Sequence, residues 1–321
     1  MSILSKPYFH DEAAAYKHLE GVLWPNGAEC PHCGNAGKIY ALEGVRGKPS
    51  KANPEGKERF GLKKCAECRK QFTVTVNTVF ESSHIPLHKW LQAAFLMASS
   101  KKGVSSHQIS RTLEITYKSA WFMTHRLREA MRDGNLPPLG GEGKIVEADE
   151  TFVGGKEKNK HKNKKSTADN PIRKAPVVSL VERGGRVRSF HVPEVTAANL
   201  RAILHSQVDK KTRVMTDEAS VYTEKVTGDF ADHETVNHSS GEYGRGDAHI
   251  NTAENYFSIF KRGIIGTYHH VSQKHLARYV TEFDFRYNER VGLGVSDENR
   301  TEKALIGARG KRLLYRDSSD V

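Results

Sequence analysis

The sequence lacks long apolar segments. A membrane-spanning helix needs about 20 consecutive apolar residues, and no run of that kind occurs in the 321 residues. The first residues also lack the basic and then apolar pattern of a secretory signal. We therefore expect a cytoplasmic protein with no membrane partner. The length predicts two or three domains.

Acidic residues are fewer than basic ones. The 50 Lys and Arg against 38 Asp and Glu leave a formal net charge of +12. This excess favours a polyanionic partner such as nucleic acid, and a solvated basic surface is the alternative. Residues 1–140 carry +8 of the charge, and a lysine-rich run at residues 156–165 carries +5. The rest of the C-terminal part is therefore nearly neutral, which suggests that its acidic groups are kept for another purpose, such as metal binding.

Cysteine is scarce, and all four cysteines lie within residues 21–84. Cys30 and Cys33 form one C-x-x-C pair, and Cys65 and Cys68 form a second pair after 31 intervening residues. Two such pairs, each on a tight turn, supply the four thiolates of a tetrahedral zinc site. Disulfides or redox dithiols are the alternative, which a cytoplasmic location disfavours. We predict a helical segment in residues 1–20 and then a zinc ribbon over residues 21–84, closed by a strand at 71–80.

Helical periodicity dominates residues 85–136. It predicts a helix at 86–100, then a shorter one at 107–113 and a longer one at 117–131, with a turn at 115–116 between the last two. This pattern is typical of a helix-turn-helix, whose second helix enters the major groove of DNA. A helical bundle without DNA contact is the alternative. The side chains predicted to face DNA are Lys118, Ser119, Thr124, His125 and Arg128.

After a Pro- and Gly-rich linker at 137–141, the pattern predicts three strands, a helix and a fourth strand. The first strand, at 144–153, places Glu147, Asp149 and Thr151 on one face and Glu150 on the other. The fourth strand leads to Asp217, in a segment that would also serve as a helix N-cap. Acidic residues so close to a core need a reason, and metal binding is one.

A third acidic residue lies on a helix predicted at residues 249–265. The apolar face of this helix should pack on the sheet. Beside that face runs a polar row, Asn251, Glu254, Ser258 and Lys261. This placement would direct Glu254 toward the other two carboxylates.

Taken together, the segments ADETFVGGK, TDEASVY and NTAENYFSIFKRGIIGTYHHVS resemble the three acidic boxes of DDE transposases from bacterial insertion sequences. Glu254 and Lys261 match the Glu-x6-Lys signature of that family. More narrowly, the chain is similar to the ISXO2-like subgroup, in which a four-cysteine zinc ribbon precedes the DDE domain, and the similarity covers nearly all of the sequence. Some members of the subgroup carry Asn at the third position, which leaves Asn251 as an alternative to Glu254. Glu150 and Glu218 are further substitutes.

The resemblance implies a multidomain α+β fold, in which the zinc ribbon and the helix-turn-helix precede a ribonuclease H-like α/β catalytic domain at residues 142–300 and a tail at 301–321. It implies that Asp149, Asp217 and Glu254 hold Mg²⁺ or Mn²⁺ and that Lys261 contacts a phosphate. Carboxylate oxygens suit these hard cations, and two such ions stabilise the in-line displacement at phosphorus.

The implied partner is double-stranded DNA, as transposon ends and as target, bound by a homodimer or a larger synaptic assembly at the bacterial nucleoid. The lysine-rich run would hold the DNA backbone without sequence preference. The predicted contacts in that run are Lys156, Lys158, Lys160, Lys162, Lys164 and Lys165.

Other functions compete with this one. His275, Arg278 and Tyr315 fit the H-x-x-R pair and the nucleophile of a tyrosine recombinase. Those enzymes are metal-independent and mostly helical, which the predicted strands oppose, so we interpret residues 275–283 as a helix packed on the sheet. A zinc-ribbon regulator with an inactive catalytic domain and a nuclease that cuts without joining are the remaining alternatives.

Overall fold

The computed structural model describes residues 2–51, 53–134, 136–155, 174–237, 241–242 and 244–314. The chain divides into two compact units. The first comprises Met1–Ser100, Val104–Arg132 and Gly294–Val321, and the second comprises Lys101–Gly103 and Asp133–Leu293. Within the described ranges, no helix is both long enough and apolar enough to cross a membrane.

The first unit begins with a helix and a small antiparallel sheet. Its elements are α1 (Glu12–Leu23), β1 (Ile39–Ala41), β2 (Lys63–Cys65) and β3 (Gln71–Phe72), with strand order β1-β2-β3. The closing strand predicted at 71–80 is too long. Only its first two residues pair with β2, because the chain then enters turns, and Asn77 adopts a left-handed conformation with φ 56°. Some side chains within those turns are buried, and their spacing in the sequence resembles the alternation of a strand.

The described part of the first unit contains four further α-helices. They are α2 (Leu87–Ser99), α3 (Ser106–Leu113), α4 (Tyr117–Ala130) and α9 (Asp297–Ile306). The hydroxyls of Ser105 and Thr116 cap α3 and α4 by accepting backbone N–H groups three residues later. Glu114, with φ 51°, ends α3 in the left-handed region and turns the chain into α4. The three helices predicted between residues 86 and 131 are thereby confirmed.

The end of the chain differs from the expected arrangement. Residues 301–321 were predicted as a tail, but their first part belongs to α9, which packs against α1, α2 and α4 of the first unit. Ser296 caps this helix, and Ala304 and Leu305 are buried. The unit boundary therefore falls at residue 294, ahead of the predicted boundary at 300.

The second unit is built on a five-stranded sheet of order β6-β5-β4-β7-β8. The strands are β4 (Ile145–Val153), β5 (Ala175–Glu182), β6 (Val187–His191), β7 (Arg213–Asp217) and β8 (Asp232–Val236). The first three form the predicted antiparallel meander, whereas β7 runs parallel to β4, and β8 runs parallel to β7. The sequence prediction missed β8, because this edge strand is polar and buries only Val236.

Helices cover both faces of this sheet. One face carries α5 (Ala197–Gln207) and the short α6 (Glu224–Thr227), and the other carries α7 (Asn251–Gly263) and α8 (Gln273–Asn288). On the second face, Leu276, Val280 and Phe283 of α8 pack with α7 and the sheet, as the sequence predicts. The arrangement places the central strand β4 between two apolar layers. Side chains that alternate along β4 therefore face different helices.

Candidate active site and metal centre

Three acidic residues lie where the sequence predicts them, on three elements of the second unit. Asp149 is at the middle of β4, Asp217 is the last residue of the neighbouring strand β7, and Glu254 is in the first turn of α7. Asp149 and Asp217 are half-buried, and Glu254 is exposed.

The pKa of Asp149 reflects both its burial and its charged neighbours. It is raised to about 7, mainly by burial and in smaller part by the negative charges of Glu150, Asp217 and Glu254, against a backbone N–H that lowers it. That N–H belongs to Glu150 and donates to Asp149 Oδ1 at 2.7 Å. Asp217 and Glu254 therefore lie within electrostatic reach of Asp149 and disfavour its negative charge. A bound cation would relieve this repulsion.

The three carboxylates are more widely spaced than the ligands of a metal ion. Among the described residues, only the four cysteines form a group tight enough to hold an ion without rearrangement. Oxygen donors of this type nevertheless suit Mg²⁺ or Mn²⁺. Because Glu254 is exposed, its side chain has room to rotate toward the two aspartates.

Glu150 and Glu218 were the substitutes considered for the aspartates that precede them. Glu150 points to the opposite face of β4, where its Oε2 accepts a hydrogen bond from the Tyr222 hydroxyl at 2.8 Å. Burial also raises the pKa of Glu150. Glu218 is exposed beyond the end of β7. Asp217 closes a turn by accepting the Ala219 N–H at 3.1 Å, and no helix begins there, so it is not a helix N-cap.

Glu147, two residues before Asp149 on the same face of β4, accepts four hydrogen bonds. Its side chain is 0% exposed. Oε2 accepts the backbone N–H groups of Thr252 and Ala253 at 2.7 and 2.9 Å, and Oε1 accepts the Thr252 hydroxyl at 2.9 Å. These are donors of the first turn of α7, so Glu147 caps the helix that carries Glu254.

Arg183 balances the charge of Glu147. Its Nε donates to Glu147 Oε1 at 2.6 Å. The two remaining guanidinium nitrogens donate to the carbonyls of Asp247 and His249 at 2.7 Å each. The segment that leads into α7 is thereby fixed to the loop after β5.

The four cysteines of the ribbon converge in the first unit. Cys30 Sγ lies 3.6 Å from Cys68 Sγ, Cys33 Sγ lies 3.7 Å from Cys65 Sγ, and all four sulfurs are within 4.8 Å of one another. All four are free thiols, which excludes the disulfide alternative in this structure. The side-chain amide of Asn35 donates to Cys65 Sγ at 3.5 Å, and this bond, with backbone N–H donors, lowers the pKa of Cys65 to about 6. A thiolate-stabilising, four-sulfur group fits a structural zinc ion.

Two family models match this chain, one in each of its two units. Residues 138–288 match the family model of the ISXO2-like transposase domain, and residues 10–71 match that of the transposase zinc-ribbon domain. The chain belongs to the zinc-ribbon, ISXO2-like transposases.

One curated relative of this transposase matches over most of its length. A protein of the transposable element ISH50 of Halobacterium salinarum is 27% identical over 288 residues, which is 87% of this chain and 91% of the relative. That relative is itself described as uncharacterized.

Two solved structures of the Mos1 transposase are also similar at a distant level. A pre-cleavage Mos1 transpososome is 13% identical with a TM-score of 0.26, and covers 68% of this chain and 74% of that chain. A paired-end complex of Mos1 transposase with the left transposon end is 15% identical with a TM-score of 0.18, covering 60% and 77%. Similarity this low supports no functional conclusion.

The DNA-facing side chains predicted for the transposase helix α4 need correction. Thr124, His125 and Arg128 are 0%, 0% and 1% exposed. The reason is that α4 is covered on several sides, by α2, α3 and α9. Arg128 Nη1 donates to the Thr124 hydroxyl at 3.2 Å instead of facing solvent. Only Lys118, which is exposed, and Ser119, which is half-buried, stay accessible.

Of the other predicted DNA contacts, one lies on α7 and the rest lie outside the described residues. Lys261 is exposed on α7, as a contact with a phosphate would require. The lysines of residues 156–165, and Tyr315 of the tyrosine recombinase alternative, lie outside the described residues. The five-stranded sheet that holds the acidic residues opposes that alternative.

Sequence reasoning gave no role to Glu147 and did not single out Arg183. The available signal was that Glu147 shares a strand face with Asp149 and precedes it by two residues. Its partners lie 36 and 105 residues away, so no local pattern could identify them.

Proposed function

We propose that this family member is an active DNA transposase that binds the ends of an insertion sequence, cleaves there and joins the ends to target DNA. The observation that supports the proposal is that Asp149 lies on β4, while Asp217 and Glu254 lie on β7 and α7, two elements that contact β4 in a domain that matches ISXO2-like transposases. The sheet order, with Asp149 on the first strand and Asp217 at the end of the fourth, is the one expected of a ribonuclease H-like domain.

The three carboxylates would hold Mg²⁺ or Mn²⁺, which when bound stabilises the charge that develops on the attacking and leaving oxygens of a phosphodiester. Asp149, on the rigid central strand, fixes the position of the site. Asp217 and Glu254 approach it from β7 and α7. Burial and the charges of nearby carboxylates raise the pKa of Asp149, and a bound cation would favour its charged form.

Side chains outside the metal site, most of them lysines, would hold the DNA. Lys261 lies two turns along α7 from Glu254 and is placed to contact a phosphate beside the reacting bond. The pair α3 and α4 has the length and the tight turn of a helix-turn-helix, with Lys118 and Ser119 at the exposed start of the second helix. The lysines of residues 156–165 would add backbone contacts, so binding should weaken as salt rises.

The zinc ribbon would support end recognition as a folded module. A small ribbon has little core, so its metal stabilises the fold directly. Joining two ends in one event also requires a dimer or a larger synaptic assembly, which would form on the DNA of the cell.

The test is a strand-transfer assay with purified protein, labelled transposon-end DNA and a supercoiled target, with Mg²⁺, with Mn²⁺ and with chelator. Joined product that requires the metal supports the proposal. Binding without any reaction favours the regulator, and cleavage without joining favours the nuclease. A covalent protein-DNA adduct in chelator would instead indicate a tyrosine recombinase.

A further inference from the structure

We propose that Glu147 is a positioning residue of the active site, which sets the place of Glu254 relative to Asp149. The inference rests on the proposed function, because it concerns the metal site formed by those carboxylates. Glu147 itself is fully enclosed and bonded to the protein, so it is not a metal ligand.

The geometry links two ligand-bearing elements through one side chain. Glu147 and Asp149 lie on the same face of β4, about 7 Å apart along the strand. Through its Oε2, Glu147 bonds the N–H groups of Thr252 and Ala253, which immediately precede Glu254. A shift of α7 along β4 would break these bonds, so the cap fixes the register of the helix against the strand.

The cap requires a charged carboxylate. Both of its oxygens accept hydrogen bonds, from two backbone N–H groups, one hydroxyl and the Arg183 guanidinium. A glutamine has one accepting oxygen and an NH₂ group that would face donors at the other position. The N-terminal end of α7 also carries a partial positive charge, which favours an anion there.

Arg183 extends the restraint to the segment before α7. By donating to the carbonyls of Asp247 and His249, it aligns the residues that enter the helix. Glu147 Oε1 also lies 3.2 Å from His249 Nδ1. The entry to α7, its first turn and the strand of Asp149 thus meet at one buried ion pair.

A buried ion pair with a purely structural role is the competing interpretation, and the chain offers a matched control for it. Glu282 is 0% exposed and pairs with the buried Arg286 on α8, and it also accepts the Tyr268 hydroxyl. Both pairs lie in the second unit, but Glu282 does not cap the helix of Glu254. Loss of either carboxylate should reduce stability, whereas only loss of Glu147 should disturb the metal site.

The experiment compares E147Q with E282Q in zinc-loaded, full-length protein. Mn²⁺ binding is measured from the electron paramagnetic resonance signal of the free ion, without DNA, with Asp149→Ala as the reference that lacks the site. We expect E147Q to weaken the Mn²⁺ binding that depends on Asp149 by about tenfold or more, the range usual for groups that orient metal ligands. E282Q should bind Mn²⁺ as the parent protein does.

Hydrogen exchange supplies a second readout that does not depend on metal. In E147Q, the amides of Thr252 and Ala253 should exchange faster than in the parent protein and in E282Q. If E147Q does not fold, Arg183→Lys tests the same link, since it keeps the charge but loses the donors to Asp247 and His249.

Equal Mn²⁺ affinity in E147Q and E282Q would overturn the inference. Parent protein that binds Mn²⁺ no better than Asp149→Ala would instead remove the metal site of the proposed function, and the inference with it.

Discussion

The buried carboxylate of Asp284 accepts both the backbone N–H and the hydroxyl of Ser189, each at 2.7 Å. The Tyr256 hydroxyl is a third donor. This cluster joins α8 and α7 to the edge strand β6, on the face of the sheet that carries Glu254. Burial raises the pKa of Asp284 to about 6, although the three hydrogen bonds lower it.

Asp284 should make the stability of the second unit depend on pH. Its pKa is higher in the folded protein than in the unfolded chain, so its stabilising effect is full at low pH and is lost as pH rises through about 6. Between pH 5 and 7, the loss should be about 1 kcal/mol. Urea unfolding at a series of pH values should show this slope in the parent protein and a smaller one in Asp284→Asn. Parallel slopes would contradict the assignment.

Removing the charge of Asp149 should stabilise the metal-free protein while it abolishes activity. Burial, together with the charges of nearby carboxylates, raises the pKa of Asp149 to about 7, so its charged form destabilises the folded protein. We expect Asp149→Asn to raise the free energy of unfolding by about 1–3 kcal/mol at pH 7.5 without divalent ions. Asp247→Asn, which alters an exposed ion pair with Arg213, is the control and should have little effect. A destabilised Asp149→Asn protein would contradict the view that the charged, buried carboxylate costs stability.

If Asp149, Asp217 and Glu254 hold the metal, substitutions of Glu254 and of Glu150 should have different effects on activity. Glu254→Gln should lose cleavage and joining but keep DNA-end binding, because its charge acts on the metal. Glu150→Gln should keep substantial activity, since that side chain bonds Tyr222 on the opposite face of β4. Strand-transfer and gel-shift assays measure both. The reverse pattern would move the third ligand away from Glu254, and an inactive Asn251→Ala would support Asn251 instead.

Asn35 should slow the release of zinc from the ribbon. Its amide donates to Cys65 Sγ and supports the thiolate. Asn35→Ala should therefore weaken zinc binding by about tenfold, within the range usual for groups that orient metal ligands. The rate of zinc transfer to a coloured chelator measures the effect. His32→Ala is the control, because His32 is exposed between the cysteines and is not one of the four predicted ligands. Equal release rates would show that the Asn35 bond is unimportant.

The sequence predicted the elements that local patterns encode. Capped helices, the β-meander and the strand that carries Asp149 all have periodic apolar residues, and the C-x-x-C spacing encodes the ribbon directly. Strand β8 was missed because its residues are polar. The burial of Thr124, His125 and Arg128 was missed because periodicity identifies an apolar face but not a helix covered on several sides. The cap formed by Glu147 depends on a partner 105 residues away, which no window of sequence contains.

Helix α9 makes the ribbon-bearing unit discontinuous in sequence, while the sheet unit is nearly continuous. Because α9 follows the sheet unit along the chain, α1 and α2 gain this packing partner only after the sheet unit has been synthesised. A chain that ends at residue 293 would contain the whole sheet unit but would lack α9. Its ribbon unit would be unfinished, although every cysteine of the ribbon would be present.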